Sequence, residues 1–288
     1  MSGVSTGNLP ITVYTPESPL RNPGRLFREM FRDLMEGREL AWRLFVRDLS
    51  AQYRQTFLGY IWAFLPPLVT SFTFIYLNSQ GIVKIEGVGM PYPAFALIGT
   101  LLWQVFVDAI QCPTQAVITS KPMLAKINFP REAILMGGLY MVLFNVGIRL
   151  ILLVAVMVFW GIEPGVGLLL FPVAMAGLLA AGFAVGMAIL PVGALYGDVN
   201  RGIPIITQFW MLLTPVVYPP KTQGLAGWLS TWNPLSPLIT IARESLSNQM
   251  LTLMVPFVVV SLVSLLVCFM GWIAFRLAMP MLVERMGG

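Results

Sequence analysis

Histidine is absent from the chain and charge is scarce, with 18 lysines and arginines, 13 acids and only 11% charged residues in 288. The first absence removes the commonest general base and the commonest metal ligand together. The second excludes a chain wetted on all sides, since soluble domains carry about 25% charged residues. Two cysteines, Cys112 and Cys268, stand singly in apolar runs, so neither a zinc site nor a disulfide framework is indicated. Both read as small buried hydrophobes. No GxxxxGKS/T occurs, so the chain has no P-loop for a nucleotide. No paired carboxylates lie inside an apolar run, which disfavours an intramembrane enzyme acting on lipid-linked sugars. A proton relay needs a series of acids or histidines in the membrane, and its absence disfavours an ion-coupled carrier.

What is present is apolar: 57% of the residues are hydrophobic. A spanning helix needs about 20 such residues in a row. Six stretches qualify, near 57–78, 93–116, 132–160, 166–191, 202–219 and 252–275. The expected fold is an all-α membrane protein with six transmembrane helices, an N-terminal amphipathic interfacial helix and a short re-entrant external segment. Residues 1–24 read as a disordered cytoplasmic tail. They lack the basic start and apolar core of a signal peptide. Residues 25–50 form the amphipathic unit and 51–288 the membrane domain. Pro66-Pro67 is expected to kink the first span.

Lysine and arginine near span ends set orientation. Arg21, Arg25, Arg28, Arg32, Arg38, Arg43, Arg47 and Arg54 precede the first span. Lys121, Lys126 and Arg131 fill the second connection, Arg201 the fourth, and Arg276 and Arg285 the tail, against only Lys84, Lys221 and Arg243 on the other side. Both termini and the 117–131 bridge are therefore expected in the cytoplasm. In residues 25–50, Phe27, Met30, Phe31 and Leu34, then Trp42, Phe45 and Leu49, recur at helical spacing with charge opposite. That pattern suits a helix lying in the headgroup layer, broken at Gly37. The stretch GWLSTWNPLSPLITIARESL is too apolar for a free loop and too interrupted by proline to span. It predicts a short helix over 235–246, with Arg243 and Glu244 near its end, capping a cavity.

Asp108 and Arg149 are the clear intramembrane charges, and they are placed to pair across the second and third spans. Gly182 and Gly186 stand four apart, the spacing that lets helices approach closely. Phe57, Tyr60, Phe64, Leu68, Phe72 and Ile75 make one helical stripe on the first span, and Phe209, Trp210 and Tyr218 mark the fifth. Aromatic stripes serve packing as a rule. Here they also suit the lining of a channel through which a long amphipathic chain slides.

Five segments together resemble polysaccharide-exporting ATP-binding-cassette permeases. They are QYRQTFLGYIWAFLPPL (52–68), LAKINFPREAIL, YGDVNRGIPIITQFWMLLTPVVYP (196–219), NPLSPLITIARESL and the tail PMLVERMG. The likeness runs from about residue 40 to the end. It departs from the family at one turn, where Asp198 and Arg201 stand three apart instead of side by side. The resemblance implies a non-enzymatic transport subunit in a bacterial cytoplasmic (inner) membrane. A second copy of the chain would complete the channel. Two copies of a separate ATPase would bind ATP and Mg, with no cofactor in this chain and no nucleic-acid partner. The cargo implied is a lipid-linked polysaccharide such as O-antigen, capsule or teichoic acid.

The basic bridge SKPMLAKINFPREAIL resembles that family's coupling segment. Met123, Leu124, Ile127 and Phe129 would seat in the ATPase, with Lys121, Lys126 and Arg131 holding the orientation. Burying such side chains contributes about 1.5–3 kcal/mol each before ordering costs. Arg43, Arg47 and Arg54 are the candidates for guiding the carrier's diphosphate. The alternative is a permease of the same architecture carrying small amphiphiles or lipids, of drug-efflux type.

Overall fold

The structure, a computed structural model, describes residues 23–54, 59–82, 85, 88–124, 129–220 and 224–287. Phe57, Lys126, Ile127 and nearly all of the predicted tail lie outside the described residues. Among those described, every regular element is helical: α1 (Pro23–Glu36), α2 (Arg38–Tyr53), α3 (Leu65–Ser79), α4 (Tyr92–Leu124), α5 (Glu132–Phe159), α6 (Phe171–Gly193), α7 (Gly197–Leu213), α8 (Gly224–Trp232), α9 (Leu235–Glu244) and α10 (Met254–Gly287). Four segments are long and apolar enough to cross a membrane: α4, α5, the stretch Val166–Gly193 that contains α6, and α10 through Met279.

The first and fifth predicted spans are α3 and α7. At 1.5 Å per residue they measure about 22 and 25 Å, short of a bilayer core of about 30 Å. Pro66 and Pro67 explain the short α3. They do not kink a longer helix but occupy its first positions, where a missing N–H costs nothing. The chain before them makes a 3-10 turn over Gly59–Ala63. Of the expected single stripe, Tyr60 therefore falls in this turn and Leu68, Phe72 and Ile75 in α3, with Phe64 between them. Helix α7 ends at Leu213, ahead of Pro215.

Helix α4 is the hub. It packs against α3, α5, α6, α7 and α9, while α10 leans on α6. Lipid tails are as apolar as leucine, so association between spans depends on close packing. Gly182 and Gly186 supply it. A Cβ added at Gly186 would lie 2.4 Å from the Ile110 carbonyl oxygen, and one at Gly182 would lie 2.5 Å from the Ala109 Cβ. The two backbones thus meet where the four-residue glycine spacing predicts.

A second, smaller core joins the lower ends of α4, α5, α6 and α10 through Leu124, Ile134, Leu190, Phe275 and Met279. Gly37 separates α1 from α2, as expected. The apolar residues of these two helices divide into two sets. Leu26, Met30, Leu44 and Phe45 are buried against the bundle, whereas Phe27, Phe31, Met35 and Trp42 remain exposed. Arg276 of α10 bonds Glu132 at the start of α5 and reaches Asp33 of α1 at 2.9 Å and Glu29 at 3.7 Å. One guanidinium thereby holds three helices together at this end.

Candidate functional site

Two outward faces carry the predicted lining residues. On α7, Ile203, Thr207 and Met211 are buried and Trp210 is half-buried. The opposite face exposes Asp198, Arg201, Ile205, Gln208, Phe209 and Leu212. Helices α5, α6 and α10 behave differently. Within the apolar segments every exposed residue is an aliphatic, aromatic, methionine, proline or glycine, and α10 turns Ser261 and Ser264 inward. That is the pattern of a lipid-facing helix, on which a polar group is costly. A glutamine midway along the outward face of α7 does not fit lipid.

Helix α3 exposes Leu68, Val69, Phe72 and Tyr76. Leu68, Val69, Phe72, Thr73 and Ile75 border a cleft of about 380 Å³ against Leu97 of α4. Phe72 at 71% and Phe209 at 67% exposure are free to meet another molecule. Phe64 is half-buried, and Tyr60 lies in the 3-10 turn.

Trp210 and Tyr218 do not join these faces. The Trp210 ring meets Trp103 and Phe106 edge-on, and its Nε1 donates to Asn233 Oδ1 at 3.3 Å. Tyr218 is half-buried and its hydroxyl donates to the Leu212 carbonyl at 2.9 Å. Both are half-buried, and the indole N–H and phenol O–H each have a hydrogen-bond partner inside the chain. The exposed face of α7 carries Ile205, Gln208, Phe209 and Leu212, a set reached by counting three and four residues from Arg201.

Asn233 anchors the α9 end. Its Nδ2 donates to Thr214 Oγ1 at 2.7 Å, and its Oδ1 accepts from Leu235 N at 3.1 Å. All ten residues of α9 are buried. Arg243 donates to the Pro215 and Val216 carbonyls at 3.1 and 2.7 Å. Gly99 of α4 leaves room for this, because a Cβ there would lie 2.0 Å from the Val216 oxygen. Burial pushes the Arg243 pKa down to about 9, opposed by Glu244 and Tyr92, so the guanidinium stays charged at neutral pH. Glu244 accepts from the Thr252 backbone N–H at 2.9 Å and its hydroxyl at 2.6 Å.

In the middle of the bundle, Arg149 Nη1 donates to Asp108 Oδ2 at 2.7 Å and Asn145 Nδ2 adds a bond at 3.1 Å. The sequence pairs these two charges and misses Asn145, which lies one turn before Arg149.

The bridge residues divide. Lys121 is exposed on the last turn of α4, which runs without interruption to Leu124. Leu124 is buried in the smaller core, and Met123 and Phe129 pack against it. Part of the apolar surface expected to face a partner is thus used within the chain. Arg131 immediately precedes α5 as its cap residue and is half-buried. Arg43 pairs with Glu39 at 2.6 Å and Arg47 with Asp48 at 2.7 Å, all near the surface, and Arg54 is exposed. Exposed pairs of this kind contribute little and leave the arginines able to exchange partners. The signal that sequence reading passed over is Glu132: an acid opening a span is buried here because Arg276 meets it.

Comparison with known proteins agrees with this architecture. The O-antigen export system permease protein RfbA of Myxococcus xanthus is 25% identical over 214 residues, covering 73% of this chain and 81% of that protein. A Klebsiella pneumoniae protein of the same name is 22% identical over 71% of this chain and 79% of its own length. The polysialic acid transport protein KpsM of Escherichia coli is 21% identical over 81% of this chain and 91% of that protein. The profile of the ABC-2 type transporter family matches residues 39–247. With that match over most of its length, the chain belongs to the ABC-2 type transporter family of membrane proteins.

Proposed function

We propose that this chain is the permease subunit of an ATP-driven exporter that moves a lipid-linked polysaccharide across the cytoplasmic membrane. The observation that carries the reading is the outward face of α7, where Asp198, Arg201 and Gln208 alternate with Ile205, Phe209 and Leu212 while α5, α6 and α10 expose no polar side chain in their apolar segments. Such a face suits a passage that is wet and aromatic at once. The names of the relatives supply the cargo class.

In this reading α3 and α7 complete six spans, their short helices extended by the Gly59–Ala63 turn and by residues 214–218. Two copies place their α3 and α7 faces opposite each other and enclose the route. The end bearing α1, α2, Lys121 and Arg276 faces the cytoplasm, with both termini. Helices α1 and α2 lie in the headgroup layer on Phe27, Phe31, Met35 and Trp42, and Arg43, Arg47 and Arg54 meet the carrier's diphosphate. The α9 segment enters from the outer side and borders the exit.

Energy comes from outside the chain. Two ATPase subunits bind ATP and Mg and push on Lys121, Met123 and the residues that follow as far as Arg131. Leu124 and Phe129 are fixed to the smaller core, which ties this contact to α5, α6 and α10. Force applied there moves helices instead of bending a loop. The test is genetic. Deleting the chain should abolish surface polysaccharide and leave glycan on its carrier inside the cell, with rescue by the wild-type chain. Unchanged surface polysaccharide in the deletion strain would contradict the reading.

A further inference from the structure

Helix α4 is the most enclosed span, yet its enclosure fails along one line. From Ala94 to Thr114 every residue is buried except Gln104, Asp108 and Gln111. The same line continues to Gln115 and Thr119, which are exposed. The steps of four, three, four and four residues put all five on one face of the helix. At 1.5 Å per residue the seam is about 22 Å long. From Ala94 to Thr114 the apolar positions of α4 are covered while its amides and its acid are only half-buried, the reverse of a helix that sits in lipid.

The cover stops for a structural reason. Thr100, one turn from Gln104, has its Oγ1 2.6 Å from Ser71 Oγ and within 3.4 Å of the Pro67 carbonyl, so α3 closes the face there. Helix α3 begins at Leu65, only two residues before that contact, and does not extend over the rest of the face. On the other flank, Asp108 is held by Arg149 and Asn145 of α5. The Arg149 Nε and Asn145 Oδ1 atoms are buried there without a hydrogen-bond partner.

The chemistry of the seam selects a ligand class. Each glutamine offers one carbonyl acceptor and two N–H donors in a plane; the amides of Gln111 and Gln115 stand one turn apart, and Gln104 lies two turns, about 10 Å, from Gln111. Gln104, Gln111 and Gln115 make no side-chain hydrogen bond among the described residues. The single acid is neutralised by Arg149, so the seam carries almost no net charge. That suits a neutral, hydroxyl-rich chain and not the anionic phosphates of a lipid carrier.

We propose that Gln104, Gln111, Gln115 and Thr119 form a hydrogen-bonding track for the hydroxyl groups of the exported glycan, in a groove that opens to water on the cytoplasmic half of the permease and runs past its middle to Gln104. The track rests on the polysaccharide-export reading and adds the surface that the glycan touches first. Weak, repeated amide contacts let a chain advance without being trapped.

The experiment uses inside-out membrane vesicles carrying the full transporter, made from cells with glycan synthesis off or on, with Gln111→Cys, Gln115→Cys and, as a lipid-facing control, Val258→Cys. Wild type supplies the background, since Cys112 is buried and Cys268 half-buried. A hydrophilic thiol reagent applied from the cytoplasmic side should label the two seam positions roughly tenfold faster than Val258→Cys, because only a thiol in contact with water forms the reactive thiolate. Labelling should fall when glycan synthesis is switched on. Unlabelled seam thiols, as when a second copy of the chain seals the groove, would overturn the track. So would labelling that glycan does not reduce. Loss of the export reading is detected separately, by a deletion strain that still displays polysaccharide whatever the labelling.

Discussion

The Arg243 guanidinium donates to the Val216 carbonyl at 2.7 Å while lying 3.7 Å from the centroid of the Phe95 ring. One side chain thereby fixes the end of α7, the seat of α9 and the approach of α4. A hydrogen bond from a charged group contributes about 1.5–3 kcal/mol, and its loss also strands the acceptor carbonyls. Arg243→Met should lower the melting temperature of the purified protein clearly. Arg243→Lys should do so as well, since an ammonium cannot lie flat on the Phe95 ring while it reaches the two carbonyls. A lysine variant melting with wild type would contradict the clamp.

Asp108 and Arg149 make a different prediction. Removing one partner of a fully buried pair costs about 3–5 kcal/mol because the other charge is left alone; here Arg149 is buried and Asp108 half-buried, so the cost falls at or below the lower end. Asp108→Leu should therefore destabilise the protein. The double variant with Arg149→Met should recover much of the loss, which thermal unfolding of both proteins in detergent would reveal. A double variant worse than either single would mean that the charges act independently.

The contact of Gly186 with Ile110 predicts an asymmetry among glycines. Gly186→Val should reduce the yield of folded protein sharply, with the backbones of α4 and α6 forced apart. Gly147→Ala on α5, where an added Cβ meets nothing within 4 Å, should be neutral or slightly favourable. Expression and gel-filtration profiles compare the two directly.

Leu124 and Phe129 alter how the bridge should be tested. Phe129→Asp places a charge against the smaller core, so it should lower stability as well as transport. Lys121→Glu changes an exposed side chain and should leave folding intact. In a complex with the ATPase it should raise ATP consumed per glycan exported. An unchanged ratio, measured in the same vesicles, would remove Lys121 from the coupling contact.

The sequence made the long spans legible because apolar runs leave few alternatives: 132–160 became Glu132–Phe159, and 93–116 lies within Tyr92–Leu124. The Gly182 and Gly186 spacing was readable for the same kind of reason, a local period with one physical use. The α3 start was misread because Pro-Pro is compatible with a kink or a beginning, and neighbouring chain decides which. The inward partners of Trp210 and Tyr218 were not legible because an aromatic ring reads alike in a core and on a channel wall. Only the partners Asn233 and the Leu212 carbonyl separate the cases. Glu132 with Arg276 is a contact between distant parts of the chain, which no local pattern announces.

The most direct measurement is transport in reconstituted vesicles, comparing the chain alone with the chain plus its ATPase, using a lipid-linked glycan and a defined supply of ATP. Movement of glycan only when both proteins and ATP are present is the result the account predicts. Concentrative movement by the chain alone would contradict it.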